Sequence, residues 1–145
     1  MSMPGVARWI TGLILLLALS MPSLACRCVE DVAPATAYRQ ASVVVQGQVQ
    51  AVRGDINREG ATAKIRVTKT WKKPVRAEIE ISTSTTCAFE FRVDEEYLLY
   101  LQLSPDGARY VTKRCLGNQL IVEAQKALGW LQRHGVPATV QETAP

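Results

Sequence analysis

From residue 42 to residue 52 (SVVVQGQVQAV) apolar and polar positions alternate. Val43, Val45, Val49 and Ala51 fall on one side, and Gln46, Gln48 and Gln50 on the other. A period of two predicts a half-buried strand. Gly47 on the apolar side points to a bend, or to another backbone passing close by. Residues 53–60 (RGDINREG) are turn chemistry closed by glycine. Residues 61–71 alternate again, with Ala63, Ile65, Val67 and Trp71 on one face and Lys64, Arg66, Thr68 and Thr70 opposite. Pro74 ends that strand, because proline cannot donate to a ladder. Residues 75–83 (VRAEIEIST) form a third alternating segment, with Ala77, Ile79 and Ile81 inward. Residues 89–93 read as a short further piece. Residues 96–103 (EYLLYLQL) are apolar on both faces, as in a central strand, and a tight SPDG turn leads to a last strand over 109–115.

Two helical patterns flank these strands. Residues 33–41 (APATAYRQA) predict a short helix with Pro34 in its first turn. Residues 118–134 carry Leu120, Ala124, Leu128 and Leu131 as a stripe, with Gly135 and Pro137 as the stop. Residues 135–145 read as a flexible tail. Five or six strands, nearly all antiparallel, with flanking helices predict a mostly β domain. Its expected form is a small closed or partly closed barrel with the C-terminal helix packed on it.

The 145-residue chain is long enough for one domain. Its start does not belong to that domain. Arg8 is the only charge before residue 27, and residues 9–19 (WITGLILLLAL) are apolar but too short to span a bilayer. Ser20, Pro22 and Ser23 follow, and Ser23 and Ala25 are small residues where a leader peptidase reads. Residues 1–25 are therefore expected to be a cleaved signal peptide. The exported product, secreted or periplasmic, then begins at Cys26, with the domain over residues 26–134.

Charge narrows the partners. After Arg8 the chain holds 16 of its 17 Lys and Arg against 13 Asp and Glu, interleaved along the sequence. That describes a solvated surface rather than a nucleic-acid footprint or a membrane face. An enzyme site is not in evidence: the single histidine, His134, closes a helix, and Glu95 and Glu96 are strand neighbours pointing to opposite faces. Trp71 and Trp130 sit on apolar stripes and read as core. No cofactor motif occurs.

The remaining chemistry is sulfur. Cys26, Cys28, Cys87 and Cys115 all follow the leader, and their even number in an exported chain favours disulfides. A metal site would want paired C-x-x-C spacing, and a redox pair two intervening residues. A Cys26–Cys28 bridge would close a strained ring, which leaves two connectivities open. Cys26 is also the expected amino terminus. A lipoprotein signal usually carries an aliphatic residue where Ser23 stands, and lipid on Cys26 would orphan one of the other cysteines. A free α-amine on a disulfide-tethered Cys26 is the favoured outcome, ahead of a lipid anchor there.

The order of these features resembles a known family. A Cys-x-Cys at the mature start, a short helix, ASVVVQGQV, IRVTKTWKKP, IEISTSTTC, EYLLYLQL, an SPDG turn and a strand ending in Cys115 resemble the N-terminal, netrin-type domain of the tissue inhibitors of metalloproteinases. The likeness covers residues 26–134. It implies an OB-fold-like five-stranded barrel and the pairings Cys26–Cys87 and Cys28–Cys115. It also implies a monomeric inhibitor whose partner is a zinc metalloprotease. In that family the α-amine and carbonyl oxygen of the first cysteine grip the protease's catalytic zinc. Carried over, Cys26 is the zinc ligand in trans and Arg27 the probe of the specificity pocket. Cys28 and Val29 continue the ridge, with Thr85 and Thr86 beside it. Arg27 replaces a small Thr or Ser, so the fitting pocket is deep or acidic. Glu30 replaces a common proline, and a third disulfide and the C-terminal subdomain have no counterpart here. The contrasting expectation is a netrin-type module that binds another protein or a polyanion and never meets zinc.

Overall fold

A computed structural model of the chain describes residues 26–28 and 32–142. The expected leader at residues 1–25 and the ridge residue Val29 lie outside the described residues. Helix α1 (Pro34–Gln40) is followed by β1 (Val43–Asp55), β2 (Gly60–Trp71), β3 (Val75–Arg76), β4 (Glu78–Thr83), β5 (Glu96–Leu103), β6 (Tyr110–Val111) and β7 (Gln119–Leu120). Helix α2 (Gln125–His134), β8 (Pro137–Ala138) and β9 (Val140–Gln141) complete the chain.

Five strands close on themselves in the order β1–β2–β4–β6–β5, and β5 pairs back onto β1. Every pairing in the ring is antiparallel except β4 with β6. This is the small closed barrel that the strand spacing predicts, in the OB-like form that the family resemblance implies. Closure removes the exposed edges that an open sheet of this size would present.

The barrel has two cores, one on each side of its wall. Val43, Val45, Val49, Ala63, Ile65, Val67, Ile81, Leu99 and Leu101 fill the interior. Phe89, Phe91 and Tyr97 plug one end, their rings edge-on with centroids 5.1–6.4 Å apart. Outside, α1 and α2 cover Val44, Trp71, Leu98 and Tyr100. β5 is apolar on both faces for this reason: Tyr97, Leu99 and Leu101 point in, Leu98 and Tyr100 point under the helices.

Two bulges redirect the alternation. Between Val49 and Ala51 the register slips by one, so Ala51, expected inward, is exposed, and Val52 packs on the interior instead. A second slip at Gln46/Gly47 leaves Thr68 unpaired and sends Trp71 to the outer core, away from Val67. One inserted residue reverses every later side chain, because the strand period is two. Gly47 is the close approach that its position suggests. A Cβ there would lie 2.6 Å from the Arg66 carbonyl oxygen and 2.6 Å from Ile65 Cγ2.

Other boundaries shift for local reasons. The expected strand over 75–83 breaks at Ala77, whose N–H and C=O bond to Gln141 and Val67. Residues 89–93 hold no strand and serve as the aromatic plug. The expected last strand is only β6, since residues 114–116 turn into a 3-10 helix. The second helix starts at Gln125 rather than near residue 118, because Leu120 belongs to β7 and pairs with Tyr97. Asn118 anchors that change, accepting the Tyr100 N–H at 2.8 Å and donating to Thr112 Oγ1 at 2.8 Å.

The segment expected to be a loose tail is ordered as far as its β9 strand. β8 pairs with the end of β2, and β9 runs parallel to β3 with Val140 packed on the interior core. Lys72, in a left-handed conformation (φ 76°), ties the same region together. Its backbone N–H donates to the Val136 carbonyl, and its Nζ donates to the carbonyls of Tyr38 and Ala41 while lying 4.8 Å from the Tyr38 ring centroid. Those carbonyls are the orphan acceptors at the end of α1. Burial beside them, with Lys73 adjacent, lowers the Lys72 pKa.

Candidate functional site

Of the expected ridge residues, Cys26, Arg27, Cys28, Thr85 and Thr86 are described, and they meet at the rim of the barrel. After β4, residues 84–87 fold back on themselves. Thr83 Oγ1 accepts the Phe89 N–H at 2.9 Å, and Ser84 Oγ donates to the Thr86 carbonyl at 3.2 Å. Cys87 takes a left-handed conformation (φ 54°) at the apex, and its carbonyl accepts the Arg114 N–H at 2.9 Å. The 3-10 turn at Arg114–Leu116 sets Cys115 alongside.

Onto these two supports the N-terminal strip is bolted. Cys26 bonds to Cys87 and Cys28 to Cys115, with Cα–Cα distances of 5.3 and 4.9 Å, so the pairing is the one the family resemblance implies. The two bridges touch: Cys26 Sγ lies 3.5 Å from Cys115 Sγ. Arg27, held at both neighbours, projects into solvent, as do Thr85 and Thr86. Cys26, Arg27, Cys28, Thr85, Thr86 and Cys87 therefore share one rim.

Beside the Cys26–Cys87 bridge lies an open cleft of about 470 Å³. Its walls include Thr85 and Thr86, Asn57 at the β1–β2 turn, and Arg114. Asn57 is placed by an Asx-type turn in which its N–H donates to Asp55 Oδ1 at 2.8 Å. Neither Asn57 nor Arg114 stands out in the sequence. The only available hint for Arg114 is adjacency to Cys115, and that becomes useful only once the pairing is known.

Among the described residues the one grouping of metal-type donors is the sulfurs of Cys26, Cys87 and Cys115, all within 4.8 Å of one another. All three are oxidised into bridges. A disulfide sulfur does not supply the thiolate that a metal takes. The residues discounted from sequence are apart from this rim. His134 stacks on Trp130 at the end of α2, with ring centroids 5.1 Å apart. Glu96 accepts Gln46 Nε2 at 3.0 Å, with Glu95 exposed.

The electrostatics distinguish the rim from the barrel's outer face. Across β1, β2 and β4, Arg53 pairs with Glu80 at 2.5 Å and Lys64 with Glu78 at 2.8 Å. The hydrogen bond from Lys64 holds the Glu78 carboxyl below its usual range. Arg114 enters no ion pair among the described residues, and it is the one charged residue lining the rim cleft. Among the described residues, no helix is long and apolar enough to cross a membrane. No protein-family model matches the chain, and no curated protein sequence matches it significantly.

Proposed function

We propose that the chain is exported, loses residues 1–25, and inhibits a zinc metalloendopeptidase through its new terminus at Cys26. The observation that carries this reading is the double bridge, which pins residues 26–28 on the barrel rim with Arg27 exposed between two fixed neighbours. A catalytic zinc keeps one coordination position open for water. A neutral α-amine and the adjacent carbonyl oxygen together displace that water as a bidentate pair. The reference pKa of an α-amine is about 7.7–8.0, so deprotonation near neutral pH costs little. Rigidity matters as much as the ligand atoms. A strip already held in place gives up little conformational freedom on binding. Arg27 then enters the protease's specificity pocket, which for a guanidinium is deep or acidic. The Cys26 sulfur is bonded to Cys87, which supports a free terminus over a lipid thioether at that position.

The test compares protein beginning at Cys26 with a twin carrying one additional alanine in front, both assayed against a panel of zinc endopeptidases. Inhibition by the first and loss of at least a hundredfold in the second supports chelation. Equal behaviour of the two, active or inert, rejects it and leaves a netrin-type binding module.

A further inference from the structure

We propose that the cleft beside the Cys26–Cys87 bridge is a carboxylate subsite, taking an Asp or Glu side chain of a docked protein with Arg114 as its counter-ion. The inference rests on the reading that a partner protein meets this ridge, and it adds what that partner must present next to the point of contact.

Three observations carry it. The cleft, about 470 Å³, is open at the rim, and among the described residues it has a single charged lining residue, Arg114, with no carboxylate in its walls. The two clefts on the outer barrel face differ. One is lined by Arg53 and Arg109 together with Glu59 and Glu80, the other by Lys64, Arg76 and Arg109 together with Glu78 and Glu80. Those clefts carry carboxylates beside their cations, whereas among the described residues the rim cleft carries none. Second, the Arg114 backbone is fixed by its hydrogen bond to Cys87 and by the 3-10 turn that carries Cys115 into its bridge. A guanidinium anchored at its root gives up less freedom per bond formed. Third, Thr85 and Thr86 line the same cleft, and neither hydroxyl makes a hydrogen bond among the described residues. A planar guanidinium and hydroxyl donors in one cleft match a carboxylate, which accepts two parallel N–H bonds and has lone pairs to spare. A sulfated glycan would require a row of cations, and the cleft offers only the Arg114 side chain beside the Cys26 terminus.

The experiment is a titration of ¹⁵N-labelled, disulfide-intact protein at low salt. The probe is the blocked peptide acetyl-Gly-Asp-Asp-Gly-amide, and its Asn-Asn counterpart is the control. The Asp peptide is expected to move the amide signals of Asn57, Thr85, Thr86, Cys87 and Arg114, saturating on the order of 1–10 mM, as fits one charge-assisted contact. The Asn peptide is expected to move none of them. Arg114→Gln is expected to weaken the Asp-peptide response at least fivefold, Arg114→Lys less, and Arg109→Gln not at all. Arg114 is exposed, and an unchanged spectrum away from the cleft verifies that each variant folds. Persistence of the shifts in Arg114→Gln overturns the proposal, as does an equal effect of Arg109→Gln, or no shift at all. A heparin-derived hexasaccharide moving the same signals where the peptide does not would also overturn it, in favour of a glycan. The titration contains neither zinc nor protease, so its failure is separate from a failure of the alanine-extension assay.

Discussion

Removing the Cys26–Cys87 bridge with the pair Cys26→Ser and Cys87→Ser tests how the two disulfides act together. Taken alone, this bridge closes a separation of 61 residues and Cys28–Cys115 one of 87. The chain-entropy relation would assign them about 4.3 and about 4.6 kcal/mol. The loops overlap, however. With one bridge in place, the shortest route between the other two cysteines runs from 26 to 28, across the bridge, and from 115 to 87, a ring of about 30 residues whichever bridge is considered. Each bridge then contributes only about 3.6 kcal/mol in the presence of its neighbour, and the two contributions are equal. Removing both costs about 8 kcal/mol, more than twice a single loss, because the surviving loop reopens to its full length once the first bridge is gone. With an unfolding entropy of about 2.1 cal/mol/K per residue over about 120 residues, a single loss lowers Tm by roughly 15 °C. Urea unfolding of the two paired-serine variants and the four-serine variant, followed by tryptophan fluorescence, measures these quantities. Markedly unequal single losses, or a loss below about 1 kcal/mol for either bridge, would refute the shared-ring argument. Stability would then reside in local packing around the sulfurs.

Further predictions concern the barrel wall. Gly47→Ala forces a methyl against the Arg66 carbonyl and Ile65, and is expected to cost about 2–3 kcal/mol in denaturant unfolding; a loss under about 0.5 kcal/mol would mean the β1–β2 contact is looser than the geometry. Tyr100 is buried with its hydroxyl unpartnered among the described residues, so Tyr100→Phe is expected to leave stability unchanged or to raise it by about 1 kcal/mol. Burial pushes the Tyr100 hydroxyl up to about 12, above its unfolded value near 10. The neutral phenol therefore supports folding fully below pH about 10, and that support is lost as pH rises through about 12. Urea midpoints measured from pH 9 to pH 12 should fall less steeply in Tyr100→Phe than in the parent, and parallel curves would contradict the assignment.

The sequence by itself determined the long strands β1, β2, β4 and β5, the presence of two helices and the barrel class, because alternation with a period of two and of 3.6 is a local signal that burial merely completes. It determined that β5 would be central, since EYLLYLQL has no polar face to give to water. The sulfur chemistry was legible as disulfides but not as pairs. Spacing left two connectivities open, and only the fold places Cys87 at the apex of one turn and Cys115 in the next, near enough for Cys26 and Cys28. The same limit applies to the bulges. Whether Ala51 or Val52 faces inward depends on which residue the partner strand leaves unpaired, and no single strand contains that information. Residues 137–141 read as a tail because their apolar content is slight. What orders them is the end of β2 that β4 leaves uncovered, at Thr70 and Trp71, together with β3, more than sixty residues away in the chain. Arg114 and Asn57 joined the candidate site for a related reason. A turn residue carries no mark of what it will face, and its neighbours are chosen by closure of the barrel.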